Sequence, residues 1–395
     1  MPFRAFQVHR IYLDHNATTP LHPAVIDTMT TVMRETFGNP SSVHHFGQKA
    51  KSVVDEARTA VADLLGGDPS EVVFTSGGTE SDNFAIRGIA EALEHSGRRH
   101  LIATGIEHEA VLNTLRALAR RGWTTTLLPV DQTGIVSPGA LGAALTDQTA
   151  LVSVMHANNE IGTIQPIAEL ARLAHDRGAI FHTDAVQTAG KIPLDAKALG
   201  ADLVSISAHK FYGPKGVGVL WIRRGLRLVP LMSGGKHERS RRAGTENVAG
   251  IAGMGQAATI ALEKMAEEAP RLAALRDRLE EAVLQAVPGT AVNGARAARV
   301  ANTTNISFDR VEAESLLIAL DLEGVAVSTG SACSSGTLEP SHVLKAMGFP
   351  AHRAQNSIRF SLGAANTDAE IDRVVAILPA VVDKLRTLTR VPARA

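Results

Sequence analysis

The segment Ser205-Ile206-Ser207-Ala208-His209-Lys210-Phe211-Tyr212-Gly213-Pro214-Lys215-Gly216 joins a short apolar run to a turn built from glycine and proline. It places Lys210 at the end of a predicted strand. A lysine held there among helix termini loses its proton readily and can form an imine with a carbonyl group. An isolated lysine is usually a solvated surface residue. Ser-x-His-Lys between an apolar strand and a Gly-Pro-Lys-Gly turn instead favours a cofactor lysine, with Ser207 and His209 as donors for phosphate oxygens.

A carboxylate comes one strand before this lysine. In Phe181-His182-Thr183-Asp184-Ala185-Val186-Gln187, Asp184 ends a buried strand, at the edge where parallel sheets build their ligand sites. A carboxylate there requires a cationic partner, and the protonated pyridine nitrogen of pyridoxal phosphate is one. Capping of the following helix by Asp184 is the alternative, and the residues alone leave both interpretations open.

A third motif, Thr75-Ser76-Gly77-Gly78-Thr79-Glu80, leads from a strand through a glycine turn into a helix. The free N–H groups and the dipole of such a helix start favour an anion, so a phosphate could bind there. By itself the motif is weak, because an ordinary turn with Ser76 or Thr79 as the N-cap has the same sequence.

Strand-like and helical segments alternate around these motifs. Apolar runs lie at 72–75, 101–104, 125–128, 151–155, 180–183, 203–207 and 217–222, and amphipathic helices are predicted at 48–65, 79–93 and 166–176. The pattern predicts an α/β fold with a mainly parallel seven-stranded sheet, in which one of the last two strands runs antiparallel because their connection is short. We expect a large domain over 15–258 and a small α+β domain formed by 1–14 and 259–395.

In the predicted small domain, two helical stretches at 260–267 and 272–286 are followed by strands near 304–308, 325–328 and 358–362 and by a helix from 367 to about 388.

Forty basic residues balance forty acidic ones, so the field that attracts nucleic acid is missing and a small-molecule substrate is expected. No segment is apolar enough to span a membrane, and no secretory signal is recognisable. The expected location is therefore the cytoplasm.

Cys333 is the one cysteine of the chain, which excludes an intrachain disulfide and a thiolate-ligated metal site; no metal site is expected. An unpaired cysteine is usually an inert core residue. The neighbours of Cys333 in Ser328-Thr329-Gly330-Ser331-Ala332-Cys333-Ser334-Ser335-Gly336 are small or polar. They offer no apolar face, so we expect an exposed thiol on a loop.

Arg359 stands in a strand-like run where a charge is out of place. Its planar fork of donors suits bidentate capture of a substrate carboxylate. A structural ion pair is the competing interpretation.

Taken together, these motifs resemble the cysteine desulfurases, fold-type-I pyridoxal-phosphate enzymes of the branch that serves iron–sulfur cluster assembly and nitrogen fixation. The likeness runs from Tyr12-Leu13-Asp14-His15-Asn16-Ala17-Thr18-Thr19 to Ile358-Arg359-Phe360-Ser361-Leu362-Gly363, nearly the whole chain. It implies conversion of L-cysteine to L-alanine, with the sulfur transferred as a persulfide to Cys333 and then to an acceptor or scaffold protein.

The resemblance also implies roles for single residues. Gly78, Thr79, Ser207 and His209 would hold the phosphate, Lys210 the aldehyde carbon and Asp184 the ring nitrogen. His108 would stack on the ring and shuttle protons, and Asn159 and Gln187 would contact the ring and its phenolic oxygen. Asn159 would also join Arg359 in binding the substrate, and Thr245 would reach the phosphate of the neighbouring subunit of a homodimer. Without the family, His108 would be taken for an exposed histidine at a turn, and the arginines near Thr245 for a solvated basic loop.

Other functions remain open on the residues alone. A selenocysteine lyase or an aminotransferase would keep Asp184 and Lys210 but would not need the Cys333 loop as a sulfur acceptor. A catalytically silent scaffold for cluster assembly is disfavoured by the intact lysine, aspartate and cysteine positions.

Overall fold

The strands form where short apolar runs are bounded by glycines and polar turns. In the computed structural model, which describes residues 10–330 and 340–389, they are β1 (Ile11–Tyr12), β2 (Val72–Thr75), β3 (His100–Thr104), β4 (Thr124–Leu128), β5 (Thr149–Ser153), β6 (Ile180–Asp184), β7 (Leu203–Ser207), β8 (Gly218–Ile222), β9 (Thr290–Asn293), β10 (Thr303–Phe308), β11 (Val325–Ala326) and β12 (Ser357–Ser361). The run predicted at 151–155 begins and ends two residues earlier, as β5. The other six predicted strands of the large sheet lie within one residue of their expected bounds.

The helices carry apolar residues at intervals of three and four. They are α1 (Pro23–Glu35), α2 (His45–Leu64), α3 (Gly78–Ala92), α4 (Glu109–Ala119), α5 (Pro138–Ala144), α6 (Ile167–Asp176), α7 (Val248–Ala286), α8 (Ala313–Leu322), α9 (His342–Ala346), α10 (Ala351–Gln355) and α11 (Asp368–Thr389). Within the two described ranges, no helix combines the length and the apolar character that crossing a membrane requires.

Seven strands form the central sheet in the order β2-β8-β7-β6-β5-β3-β4. All neighbouring pairs are parallel except those of β8, which is antiparallel to both β2 and β7. The predicted fold class, a mainly parallel seven-stranded sheet, is confirmed. The antiparallel strand is the last one because the turn between β7 and β8 is too short for a parallel crossover.

Both faces of this sheet are covered, so its strands alternate between two cores. Val72 and Phe74 pack with α2 and α7 on one face, whereas Val73 packs with α3 and α4 on the other. Parallel sheets with helices on both faces bury their strands in this way. The carboxyl ends of β2, β3, β5, β6 and β7 consequently meet at one edge, where the chemistry-bearing motifs lie.

A second apolar core lies around the antiparallel sheet β12-β10-β9. The second half of α7 and the helices α8 and α11 pack against it. The pairing of β1 with β11 brings the start of the described chain to this core, where Ile11 and Leu13 are fully buried. The sequence grouped 1–14 with 259–395, and these domain limits stay a prediction.

The two helices expected at 260–267 and 272–286 are wrong as separate elements. They belong to α7, a single helix of 39 residues that contains Pro270. A proline removes one backbone hydrogen bond and usually ends or kinks a helix, which favoured two pieces. The helix continues because its halves are held in different cores: Met254 and Ala258 pack beside the large sheet, and Leu279 and Val283 beside the small one.

Candidate active site

A cavity of about 650 Å³ opens at the edge of the large sheet where the strands end. Most of the predicted site residues line it: Gly78, Thr79, His108, Asn159, Asp184, Gln187, Ser207, His209, Lys210 and Arg359. They come from segments far apart in the chain: the parallel sheet brings nine of them together, and Arg359 comes from β12 of the small sheet.

The start of α3 forms one end of this cavity. Gly77 precedes the helix and gives it no side-chain cap, so the first N–H groups of α3 are left to other acceptors. A Cβ on Gly78 would lie 2.8 Å from Cγ2 of Val186, and Ser207 is the next side chain in the same place. Only glycine fits so closely, and the free N–H groups beside the Ser207 hydroxyl suit a phosphate.

His209 lies on the same side as Lys210. Its Nδ1 is 3.1 Å from the Thr18 hydroxyl oxygen. Burial, together with the cations Lys210 and Lys215, lowers the pKa of His209 to about 4. The ring is therefore neutral near pH 7, and one of its nitrogens carries a proton that it can donate to an anion.

Asp184 ends β6 with its side chain buried. Its Oδ1 accepts a hydrogen bond of 2.9 Å from the backbone N–H of Val186. Burial raises the pKa of Asp184, although this hydrogen bond and the nearby His108 and Lys210 oppose the rise. A cation against the carboxylate would remove the cost of burying its charge. The protonated nitrogen of a pyridine ring fits that requirement.

Two further buried carboxyl groups, those of Asp82 and Glu107, interact electrostatically with Asp184. Burial, followed by repulsion from Asp184, raises the pKa of Asp82 well above its usual value, and burial raises the pKa of Glu107 to about 8. Over the described residues, Oδ1 of Asp82 and Oε2 of Glu107 have no hydrogen-bond partner. Three acidic groups close together cannot all ionise, so this cluster also favours a cation at Asp184.

His108 caps the start of α4. Its Nδ1 accepts a hydrogen bond of 3.1 Å from the N–H of Ala110, so the neutral ring carries its proton on Nε2. Burial lowers the pKa of His108, and Lys210 contributes in the same direction while Asp184 opposes it. His108 is thus a neutral imidazole in the cavity wall, close to both the carboxylate and the lysine.

Lys210 is anchored by the segment that follows β1. Its Nζ donates to the carbonyl oxygens of Asn16 at 2.6 Å and Ala17 at 2.8 Å. In the sequence this segment belongs to the family likeness, but none of its residues was predicted to lie in the site. Backbone carbonyl groups carry no side-chain signal, so only the folded chain reveals this contact.

Gln187 and Asn159 both form hydrogen bonds with Asn16. Gln187 donates from Nε2 to the carbonyl oxygen of Asn16 at 3.0 Å, and its Oε1 accepts from Nζ of Lys191 at 2.8 Å. The carbonyl oxygen of Asn159 accepts from Nδ2 of Asn16 at 3.1 Å. Gln187 and Asn159 therefore have fixed positions in the cavity wall.

Arg359 lies in β12 and is 1% exposed. Its Nη1 donates to the carbonyl oxygen of Asn159 at 2.9 Å, and its Nη2 donates to Oδ1 of Asp14 at 2.7 Å. Nε is buried without a hydrogen-bond partner among the described residues. The ion pair that the sequence offered as an alternative is present, and the guanidinium also lines the cavity.

Two predicted residues are not among those lining the cavity. Thr245 is exposed and outside the cavity of its own chain. Cys333 lies outside the described residues, but Gly330 and Pro340, the described residues on either side of 331–339, both line the cavity. His342 lines it too, with Nε2 2.9 Å from the carbonyl oxygen of Glu107.

Comparison with known proteins agrees with this architecture. Residues 11–374 match the model of the aminotransferase class-V family. A relative named cysteine desulfurase IscS from Dictyoglomus turgidum is 51% identical over 96% of this chain and 96% of its own length. A cysteine desulfurase IscS from Methanosarcina thermophila is 49% identical over 96% of this chain and 93% of its own.

Solved structures give the same result. A NifS-like protein superposes with a TM-score of 0.90 at 39% identity, covering 95% of this chain and 100% of that one. A structure described as SspA in complex with cysteine has a TM-score of 0.80 at 34% identity, covering 89% of this chain and 98% of that one. The chain belongs to the aminotransferase class-V family and, within it, to the cysteine desulfurases.

Proposed function

We propose that the protein converts L-cysteine to L-alanine and transfers the sulfur as a persulfide to Cys333, from which an acceptor or scaffold protein takes it for iron–sulfur cluster or thiolation pathways. One observation carries this proposal. A single cavity contains Lys210, Asp184 and Arg359 together with the two described residues that flank the Cys333 segment. The names of the relatives and the cysteine-bound SspA structure support the same substrate.

Enzymes of this family depend on pyridoxal 5'-phosphate, and the cavity suits it. The N–H groups of α3 with Thr79, Ser207 and His209 would hold the phosphate, and Asp184 would hold the ring nitrogen. His108, Asn159 and Gln187 would contact the ring and its phenolic oxygen. When bound, the cofactor supplies an electron sink for negative charge at the substrate Cα.

Four side chains would carry out substrate binding, proton transfer and sulfur transfer. Arg359 would orient the substrate carboxylate, and the Lys210 amine would take the proton from Cα. The Cys333 thiolate would attack the substrate sulfur, so that an S–S bond forms while the bond between Cβ and sulfur breaks. Neutral His108 would carry a proton at sulfur. Overall, cysteine and the Cys333 thiol become alanine and a persulfide, which needs no external oxidant or reductant.

A homodimer is part of the proposal. Thr245 lies on the surface of its own chain, where it could reach the phosphate only of a neighbouring subunit. At the α1–α2 connection and the start of α2, Phe37, Val43 and Phe46 are 75%, 92% and 50% exposed, and the rings of Phe37 and Phe46 are 5.0 Å apart. An exposed apolar cluster of this kind favours an interface, and we assign it to a second copy of the chain.

We place the enzyme in the cytoplasm. A persulfide on the single cysteine of the chain needs that cysteine as a free thiol between turnovers. Reducing compartments keep thiols in that form.

The decisive experiment supplies L-cysteine to the cofactor-loaded protein, with and without a keto acid. The proposal expects equal amounts of alanine and sulfane sulfur without any keto acid. Turnover that requires the keto acid would identify an aminotransferase instead, and activity confined to selenocysteine would identify a selenocysteine lyase. If the protein bound no cofactor and formed no product, a silent scaffold would be the better description.

A further inference from the structure

Lys191 lies directly behind a residue of the cavity wall, Gln187, which precedes it by four residues in the chain. Its Nζ donates to Oδ1 of Asn16 at 3.0 Å and to Oε1 of Gln187 at 2.8 Å. Asn16 is thus held by two lysines, because its carbonyl oxygen accepts from Nζ of Lys210 at 2.6 Å. We propose that Lys191 is a positioning residue, which fixes the orientation of the Gln187 amide and of Asn16 in the site.

The orientation of the Gln187 amide follows from its two neighbours. On one side stands the carbonyl oxygen of Asn16, which can only accept; on the other stands the amine of Lys191, which donates. Nε2 must therefore face Asn16 and Oε1 must face Lys191. These two contacts orient the amide of a residue that also lines the cavity.

The backbone holds Lys191 in this place. Gly190 has a φ of +73°, and a Cβ on it would lie 2.7 Å from Cβ of Phe211. Phe211 directly follows Lys210, so the segments that carry the two lysines approach as closely as glycine allows. A side chain at position 190 would push the two amines apart.

The surroundings of Lys191 do not alter its role as a donor. Burial, and then the cations Lys210 and Arg359, lower the pKa of Lys191 well below the usual value for lysine. Another titratable neighbour is the buried His15, whose pKa is lowered to about 4 by burial first and by Lys191 among the other causes. His22, Lys264 and Glu268 line the same cavity as Lys191. A neutral lysine amine still has two N–H bonds, one for each of the two acceptors.

A cavity next to Lys191 allows the residue to be replaced without disrupting the packing around it. A second cavity, of about 260 Å³, is also lined by Lys210, together with Lys191 and mostly apolar residues of α7. Methionine has nearly the length of lysine and would border this cavity without a clash. Lys264 lines the same cavity, is exposed and pairs with Glu267 at 3.6 Å, so it provides a matched control.

The inference rests on the proposed function in one respect, the contact between Gln187 and the phenolic oxygen of the cofactor. Donation from Nε2 stabilises the deprotonated form of that oxygen. In Lys191→Met, Oε1 loses its donor, and only the hydrogen bond from Nε2 to the Asn16 carbonyl oxygen still orients the amide. The amide is then held less firmly and donates less well to the phenolic oxygen. The pH at which the absorption of the bound cofactor changes should then rise.

The experiment measures this absorption midpoint in the cofactor-loaded protein, for Lys191→Met, Lys191→Arg and Lys264→Met, each with Gln187 intact and with Gln187→Ala. We expect Lys191→Met to raise the midpoint by about one pH unit. Alanine formation should show a kcat lowered about tenfold and a KM changed by less than about twofold. Lys191→Arg, which keeps two donors, should shift the midpoint less, and Lys264→Met should not shift it.

The Gln187→Ala background decides between positioning and a direct charge effect. If Lys191 acts through Gln187, Lys191→Met should have no further effect there. An equal shift in both backgrounds, or a shift in neither, would overturn the proposal. Because the absorption is read without cysteine, a shift that depends on Gln187 would stand even if the protein formed no alanine, so the two proposals fail separately.

Discussion

The amine of Lys210 lies 2.6 Å from the carbonyl oxygen of Asn16, to which it donates a hydrogen bond. The contact ties Lys210, which follows β7, to the segment that follows β1. Lys210 and Asp184 line the same cavity. A carbonyl oxygen accepts from an amine but forms no covalent bond with it under these conditions. The amine therefore stays available to a carbonyl substrate or cofactor.

We expect Lys210→Ala to lose covalent attachment of pyridoxal phosphate, because the attachment requires an amine at this point of the cavity. Borohydride reduction of the loaded wild type, followed by peptide mapping, should label Lys210. The exposed Lys215, five residues further on, provides the control, and Lys215→Ala should be labelled like the wild type. A label on another lysine would show that the assignment is wrong.

The buried acid Glu107 makes stability depend on pH. Its pKa is about 8 in the folded protein, against about 4.3 in an unfolded chain. The folded state thus binds this proton more tightly, so the stabilisation is complete below about pH 4 and is lost as the pH rises through 8.

Glu107→Gln resembles the protonated form at every pH and keeps an acceptor for Thr104 and for the N–H of Met155, which bond to Oε1. Between pH 6 and 9, the melting temperature of the cofactor-free variant should fall less than that of the wild type, and at pH 9 it should be higher by a few degrees. Differential scanning calorimetry would measure both. The exposed Glu91→Gln should behave as the wild type; an unchanged pH dependence in Glu107→Gln would contradict the assignment.

The sequence predicted those residues of the site whose side-chain chemistry and place in the motifs indicate a role. Lys210 and Asp184 end neighbouring strands, and parallel strand ends meet at one edge, so their proximity followed from the order of the motifs. Nine of the ten predicted residues that line the cavity lie at the ends of strands of the large sheet, or in the turns or at the helix starts after them; the exception is Arg359, which lies within β12 of the small sheet.

Other features depend on contacts that only the folded chain defines. The anchors of Lys210 are backbone carbonyl groups, which every residue has, and Lys191 acquires its partners because Gly190 packs on Phe211. The continuity of α7 through Pro270 was missed for a similar reason, since packing of each half in its own core outweighs the local preference of proline.

Arg359 combines two roles that the sequence could not separate. Its ion pair with Asp14 occupies Nη2, and its position in the cavity wall suits a substrate carboxylate. We expect Arg359→Lys to raise KM for cysteine about tenfold, because a lysine cannot offer the bidentate fork, with a smaller change in kcat. Steady-state kinetics of alanine formation would measure this.

Asp14→Asn is the matched control, since it breaks the ion pair but leaves the guanidinium in place. It should lower the melting temperature more than it changes KM. If both variants changed KM equally, Arg359 would serve only as the partner of Asp14.

The proposed dimer predicts a surface that does not tolerate charge. Replacing Val43, which is 92% exposed, by glutamate should weaken self-association, because a carboxylate would have to be buried without a partner. Sedimentation at decreasing concentration should show monomers of Val43→Glu where the wild type is still dimeric. Alanine formation should fall in parallel, because in the proposed dimer Thr245 would reach the phosphate of the neighbouring subunit.

Leu322→Glu is the control for this change. Leu322 is 80% exposed on α8, a helix that packs on the core of the small sheet, so its replacement should leave association unchanged. A wild-type monomer with full activity at high dilution would refute the shared site.

Cys333→Ser separates sulfur transfer from every other reaction that the same cavity could support. A hydroxyl is hardly ionised near neutral pH and does not attack a thiol sulfur usefully, whereas a thiolate does. Lys210, Asp184 and Arg359 are unchanged in this variant, so it should still bind pyridoxal phosphate and cysteine, and should still exchange the Cα proton with solvent. Alanine formation should nevertheless fall at least about a hundredfold, because the sulfur has no acceptor.

Mass spectrometry gives the direct measurement. After incubation with cysteine, the wild-type peptide that contains Cys333 should carry one additional sulfur atom, and the Cys333→Ser peptide should carry none. Ser331→Ala, in the same segment, keeps the thiol and should acquire the sulfur as the wild type does. Because the chain has a single cysteine, added sulfur has no other thiol to occupy. A serine variant that formed alanine from cysteine at the wild-type rate would therefore exclude Cys333 as the nucleophile, while Lys210 and Asp184 would keep their roles in a different reaction.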